Sequence, residues 1–153
     1  MALEVKPVSI RSKMAGTLIA ELETELRQSY PPHYIHELNS SSFESTGSEF
    51  LVCMLDGTPI GCLGLRPLDG ETAELKRMFV RPEHRGCGAA KMMLQEIEKR
   101  ATANGFRQIV LETGNQQAAA IELYLSKGYK PVPPYNPSVD GPASACFNKN
   151  LNP

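Results

Sequence analysis

Between Thr72 and Ala103 the chain changes its hydrophobic period across a single turn, and that change limits the folds open to it. Thr72 to Val80 reads as a strand. Its apolar parity slips inside, because Leu75 is odd-numbered whereas Met78 and Val80 are even. Successive strand residues point to opposite faces, so a change of parity places a β-bulge near Arg77. Arg81-Pro82-Glu83-His84-Arg85-Gly86-Cys87-Gly88-Ala89-Ala90 follows, a glycine-containing turn that opens a helix. Ala90, Met93, Leu94, Ile97 and Ala101 keep helical spacing, and Gly105 supplies the stop. A strand feeding such a turn and helix presents unpaired N–H groups and the positive end of a helix dipole, which suits a phosphate. Neither the GK[ST] of a P-loop nor GxGxxG is present. On these residues alone, an ordinary βα turn with two glycines competes evenly with an anion site.

The remaining punctuation gives one domain, residues 1–153, in which helices and strands mix. Val5 to Ile10 reads as a short edge strand limited by Pro7. Met14, Leu18, Leu22 and Leu26 fall four apart, which predicts an amphipathic helix from an N-cap at Ser12 to about Gln28, stopped by Pro31-Pro32. Phe50 to Leu55 and Pro59 to Leu65 flank Asp56-Gly57 as a hairpin. Arg107 to Thr113 reads as a strand, Gln117 to Lys127 as a helix ended by Gly128, and Tyr129 to Val132 as extended. Ala145 to Lys149 is placed to close the sheet.

At 153 residues a chain buries enough surface to hold a core without staples. Sixteen basic against seventeen acidic residues leave a net charge of −1, so no broad footprint for nucleic acid or an anionic membrane exists. Cys53, Cys62, Cys87 and Cys146 form no CxxC pair, and His33, His36 and His84 show no ligand spacing. A metal site and a disulfide framework are therefore not expected. No apolar run reaches a membrane span and no signal peptide precedes the first helix, so a cytoplasmic protein with free thiols is expected.

Arg85-Gly86-Cys87-Gly88-Ala89-Ala90 matches the [QR]xxGx[GA] signature of the GNAT superfamily of N-acetyltransferases. Ala120-Ile121-Glu122-Leu123-Tyr124-Leu125-Ser126-Lys127-Gly128-Tyr129 resembles that family's A-I-x-L-Y-x-x-x-G-[FY] element, at the right order and spacing. The resemblance is strong over Phe50 to Tyr129 and weak at both ends. It implies an α/β (α+β) fold with a mixed, twisted, mostly antiparallel sheet flanked by helices. A central strand pair, Thr72–Val80 and Arg107–Thr113, is expected to splay. It also implies acetyl-CoA as co-substrate, without a metal. The pantetheine arm would lie in the splay against the backbones of Met78 and Val80, with Phe79 between them. The pyrophosphate would rest on the N–H groups of Arg85, Gly86, Cys87, Gly88, Ala89 and Ala90. Gln117 stands where the family often has Asn, and Asn115 lies two residues earlier; either amide is a candidate to orient the cofactor. Cys87 reads as a small loop residue or an oxidation-sensitive thiol, not an acyl carrier.

The resemblance assigns Tyr124 as the acid that protonates the departing thiolate, and a Val80 N–H as support for the oxyanion. Glu74 is a candidate general base. It reads equally well as an exposed strand carboxylate paired with Lys76, since many members use a water chain. The expected reaction is direct transfer of acetyl to an amine, with a small-molecule acceptor favoured. Protein lysine or N-terminal acetylation and a non-catalytic acyl-CoA-binding module are the alternatives. A second copy of the chain, in a homodimer, is the other partner considered. Loops from Tyr30 to Ser48 and Pro131 to Pro142 are expected to wall the acceptor pocket.

Overall fold

The computed structural model describes residues 2–30, 47–135 and 144–151. Seven strands, β1 (Leu3–Pro7), β2 (Glu49–Leu55), β3 (Thr58–Pro67), β4 (Thr72–Val80), β5 (Gln108–Gly114), β6 (Lys130–Val132) and β7 (Ser144–Asn150), form one sheet. Their order is β1-β2-β3-β4-β5-β7-β6, and only the β4–β5 pair is parallel. Helices α1 (Lys13–Ser29), α2 (Ala89–Ala103) and α3 (Ala118–Ser126) flank it. Strand β1 ends at Pro7, earlier than the expected span to Ile10, because Pro lacks the N–H needed to continue the ladder. Ile10 is instead buried in the turn before α1. The Ser12 hydroxyl caps α1 by accepting the Ala15 N–H at 3.2 Å. Asp56 and Gly57 both take positive φ, which matches the right-handed twist of the β2–β3 hairpin.

The sheet separates two apolar clusters. Leu51, Leu63, Leu75, Ile109 and Leu111 pack with Met93, Leu94 and Ile97 of α2 on one face. Phe50, Val52, Cys62 and Phe79 pack with Ala15, Leu18 and Leu22 of α1 on the other. The parity slip in β4 is a real bulge. Cys62 pairs with Phe79 and Gly64 with Lys76, so Leu63 faces two residues of β4. Arg77 takes the left-handed conformation, φ 62°, as the bulge requires. Before the bulge Ala73 and Leu75 point to the α2 face; after it Val80 does, joined by the partly buried Met78.

The bulge coincides with the end of parallel pairing. Strand β4 pairs β5 only from Thr72↔Gln108 to Leu75↔Leu111. Beyond these residues the strands part, while β5 continues paired to β7 as far as Gly114. This is the splayed pair expected from the sequence.

All four cysteines are free. Cys53 and Cys62 lie on adjacent strands but belong to opposite faces of the sheet, so no bridge can join them. Burial pushes the Cys53 thiol up to about 11 and the Cys62 thiol up to about 12, whereas Cys87 is half-buried. Mild alkylation of the native protein is therefore expected at Cys87 alone. Unfolding without reductant should release all four thiols, as counted by mass spectrometry. Rapid native labelling of Cys53 or Cys62 would contradict the packing.

Candidate active site

The parting of β4 and β5 opens a cleft with room of about 140 Å³, bounded by Leu22 and Leu26 of α1 and by Gln117, Ala120 and Tyr124 near and on α3. Its floor is residues 74–78 of β4 and 111–114 of β5. The Arg81 N–H donates to the Ile60 carbonyl at 2.8 Å. Antiparallel bonding alternates, so Phe79 also faces β3, and Met78 and Val80 turn their backbone groups away from it, toward the gap. The Val80 carbonyl accepts Arg85 Nε at 2.8 Å, which leaves the Val80 N–H as its group facing the gap. The Phe79 ring points elsewhere, into the α1 cluster, beneath the Arg85 guanidinium at 5.9 Å.

Helix α1 is tied to this strand and turn by a row of acids. Glu21 accepts Nε and one terminal nitrogen of Arg81, both at 2.8 Å, and Glu25 accepts Arg85 at 2.8 and 2.9 Å. Arg77 lies 3.5 Å from Glu23. The Arg81 and Arg85 pairs are partly exposed and contribute about 0–1 kcal/mol each, so their effect is to position more than to stabilise. The Arg85 side chain is thereby committed to Glu25 and Val80. After it, Gly86 (φ 87°) and Gly88 (φ 92°) take left-handed conformations, and Gly88 is the N-cap of α2. The first-turn N–H groups of α2 have no intrahelical acceptor.

Tyr124 is 4% exposed, its ring edge-on to Tyr129 at 5.6 Å, and its side chain lines the cleft. Among the described residues its hydroxyl makes no hydrogen bond, and burial raises its pKa above the ordinary tyrosine value. Gln117 lines the cleft, whereas Asn115 is exposed and outside the lining. Of the two candidate amides, Gln117 is the one at the cleft.

Glu74 is not the exposed strand carboxylate that one reading allowed. It is 2% exposed and accepts Arg66 Nε at 2.9 Å and the Tyr135 hydroxyl at 2.6 Å, one on each oxygen. Hydrogen-bonding partners, not Lys76, permit this burial. Glu112, one residue past the last β4–β5 pair, also lines the cleft. It accepts the Ser144 hydroxyl at 2.7 Å, and burial raises its pKa above the usual carboxylate range. Sequence reasoning passed over it as an interior residue of an apolar strand. The signal was parity: Ile109 and Leu111 face α2, so Glu112 had to face the other way. His84 is half-buried in a 3-10 turn (Pro82–His84), and His33 and His36 lie outside the described residues. So do most of the two expected acceptor-pocket loops, although their described edges reach the site. Tyr135 binds Glu74, and the Tyr30 hydroxyl accepts the Gln116 N–H at 3.0 Å. A Cβ at Gly114 would overlap that same hydroxyl.

A twisted, mostly antiparallel sheet thus parts at a bulged strand, with a glycine turn at the mouth of the cleft. The match to known proteins names the family. Residues 17–129 match the model of the Acetyltransferase (GNAT) family, and the chain belongs to it. An IAA acetyltransferase from Azospirillum brasilense is 36% identical over 135 residues, covering 88% of each chain. Human N-acetyltransferase 8 is 32% identical over 99 residues, but these are 61% of this chain and only 44% of that longer one. A crystal structure of a putative acyl-CoA N-acyltransferase from Klebsiella pneumoniae superposes with TM-score 0.82, at 24% identity and 98% coverage of both chains. An N-acetyltransferase from Thermoplasma acidophilum, solved in complex with coenzyme A, superposes with TM-score 0.74 at 19% identity, covering 98% of this chain and 99% of that one. The fold and the enzyme class, an acetyl-CoA-dependent acyltransferase, are thus those expected from the sequence. No helix among the described residues is long and apolar enough to cross a membrane, and no cluster of three metal-ligating side chains occurs among them.

If the pyrophosphate rests on the turn before α2, as the sequence resemblance implies, Gly88→Asp is costly for acetyl-CoA binding. A Cβ there meets nothing within 4 Å, so the carboxylate itself, not a clash, is what the ligand would feel. Calorimetry should show Kd raised tenfold or more for Gly88→Asp. Gly88→Asn, which tolerates the same φ, should weaken binding much less. Equal affinities for wild type and Gly88→Asp would place the pyrophosphate elsewhere.

Proposed function

We propose that the protein transfers acetyl from acetyl-CoA directly to the amine of a small molecule, with Glu112 as general base and Tyr124 as general acid. The observation that carries this reading is that both groups line one cleft, where β4 and β5 part. Glu112 takes a proton from the arriving ammonium. The neutral nitrogen then attacks the thioester carbonyl, forming the N–C bond, and the oxyanion is met by the Val80 N–H. The C–S bond breaks, Tyr124 gives its proton to the thiolate, and the proton shed by the acylated nitrogen restores the tyrosine. Met78, the glycine turn and Gln117 hold the cofactor.

Glu112 suits the base role better than Glu74 for a geometric reason. Both oxygens of Glu74 are engaged, whereas among the described residues Glu112 has one hydrogen-bonded oxygen and a pKa raised toward neutrality, where a base works best. Glu74 then acts as a positioning residue for Arg66 and Tyr135. A small acceptor is supported by the name of the Azospirillum relative, an IAA acetyltransferase.

Thiol release with a panel of amines tests the reaction itself. Tyr124→Phe should lower kcat by about 10²–10³, since the loss belongs to the transition state, with KM for acetyl-CoA little changed. A folded variant with wild-type turnover would remove Tyr124 from the mechanism.

The pH profile separates the two carboxylates. Because the Glu112 pKa is raised, wild-type activity should be present above that pKa and lost as pH falls through it. Glu112→Gln should lose about 10²–10⁴ in kcat/KM between that pKa and the pKa of the acceptor amine, and recover above the latter. The same profile from Glu74→Gln, with Glu112→Gln unaffected, would reverse the assignment.

A further inference from the structure

Lys76 is the residue next to Glu112 across the opening gap. Leu75↔Leu111 is the last paired step, and both leucines face α2, so Lys76 and Glu112 face the opposite side together. Neighbouring strands lie about 4.8 Å apart before they part. Both side chains line the cleft, and each feels the other's charge. Yet no ion pair joins them. The other charges at the cleft are committed: Glu74 to Arg66, and Arg77 to Glu23. Lys76 makes no hydrogen bond and no ion pair among the described residues, and burial lowers its pKa. Glu74, on the same face of β4, is the carboxylate that Lys76 feels most, but its two oxygens are taken by Arg66 and Tyr135. Lys76 and Glu112 therefore stand half-buried across the gap, with no direct partner for Lys76 among the described residues. Burying such charges is costly unless they are paired.

We infer that the acceptor is a zwitterion of the α-amino acid type, its amine at Glu112 and its carboxylate at Lys76. The inference rests on the acetyl-transfer reading above and names the substrate class of that site. An amine and a carboxylate on one carbon match two opposite charges on adjacent strands. A simple alkylamine satisfies Glu112 and leaves Lys76 unpaired; a monocarboxylic acid does the reverse and offers no nucleophile. Arg66 and Tyr135 occupy the two oxygens of Glu74, which leaves Lys76 as the charge at the cleft without a direct partner among the described residues.

The test uses the full chain, acetyl-CoA and the common amino acids, each beside its carboxamide, with thiol release as the readout. Carboxamides have the more acidic ammonium and are more often neutral, so basicity alone favours them. The expected result is that kcat/KM for at least one amino acid exceeds that of its carboxamide tenfold or more. Lys76→Met, close in size, should bring that ratio to near one, mainly through KM of the amino acid, and Lys76→Arg should restore part of it. Melting curves check folding, and the wild-type ratio stands as evidence even if Lys76→Met fails to fold. Turnover of carboxamides or plain amines at or above that of every amino acid would overturn the zwitterion while leaving acetyl transfer intact. A ratio unmoved in folded Lys76→Met would also overturn it. No thiol release with any amine would remove the acetyl-transfer reading and this inference together.

Discussion

Strand β4 cannot bond to both neighbours along its whole length, because one extra residue at Arg77 breaks its register with β3 and turns its later backbone out of line with β5. The site depends on that geometric fact. Without the bulge, Met78 and Val80 would be engaged in an ordinary ladder, with no backbone group turned to an open gap. With it, the sheet holds its core on both faces yet leaves a stretch of central strand unpaired at one edge. A left-handed residue other than glycine costs of order 1 kcal/mol, and Arg77 bears it while its carbonyl accepts the Cys62 thiol at 3.3 Å. Gly61, opposite Val80, cannot carry a side chain, since a Cβ there would stand 2.7 Å from the Phe79 carbonyl oxygen. The pairing around the bulge is thus fixed from both strands.

Around this opening the charges sort into two sets. Glu21, Glu23 and Glu25 bind arginines of β4 and the turn and hold α1 against the strand. The second set, Glu74, Lys76 and Glu112 with Tyr124, faces the cleft. Burial raises the pKa of Glu112 and Tyr124 and lowers that of Lys76, so each of these three is moved toward its uncharged form until a ligand brings it a partner. The family's arginine at the turn belongs to the first set. Arg85 closes the end of β4 by capping Val80, so in the proposed site any phosphate contacts fall to the backbone that follows.

Much of this was legible in the sequence, for identifiable reasons. The bulge showed as a parity slip because both faces of β4 are buried and its apolar residues had to follow the faces. The hairpin showed in Asp56-Gly57, and α1 in its four-residue leucine spacing and Ser12 cap. Edges were harder: β1 is short and carries few apolar residues, and its true end at Pro7 differs from its apparent one at Ile10. The site was half legible. Tyr124 and the glycine turn lie in contiguous motifs. Glu112, Arg66 and Tyr135 act through pairings between distant segments, and no local pattern marks a carboxylate whose importance comes from where two strands separate. An exposed Glu74 remained one of two even readings because alternation alone cannot show that an arginine from β3 and a tyrosine after β6 bind its oxygens.

Amide hydrogen exchange with and without saturating acetyl-CoA tests the central claim most directly, because the claim concerns particular backbone groups. The account predicts that the ligand slows exchange at Met78, Val80 and the first turn of α2, and leaves Phe79, already bonded to β3, unchanged. Protection confined to other segments, with Met78 and Val80 exchanging as freely as before, would contradict it.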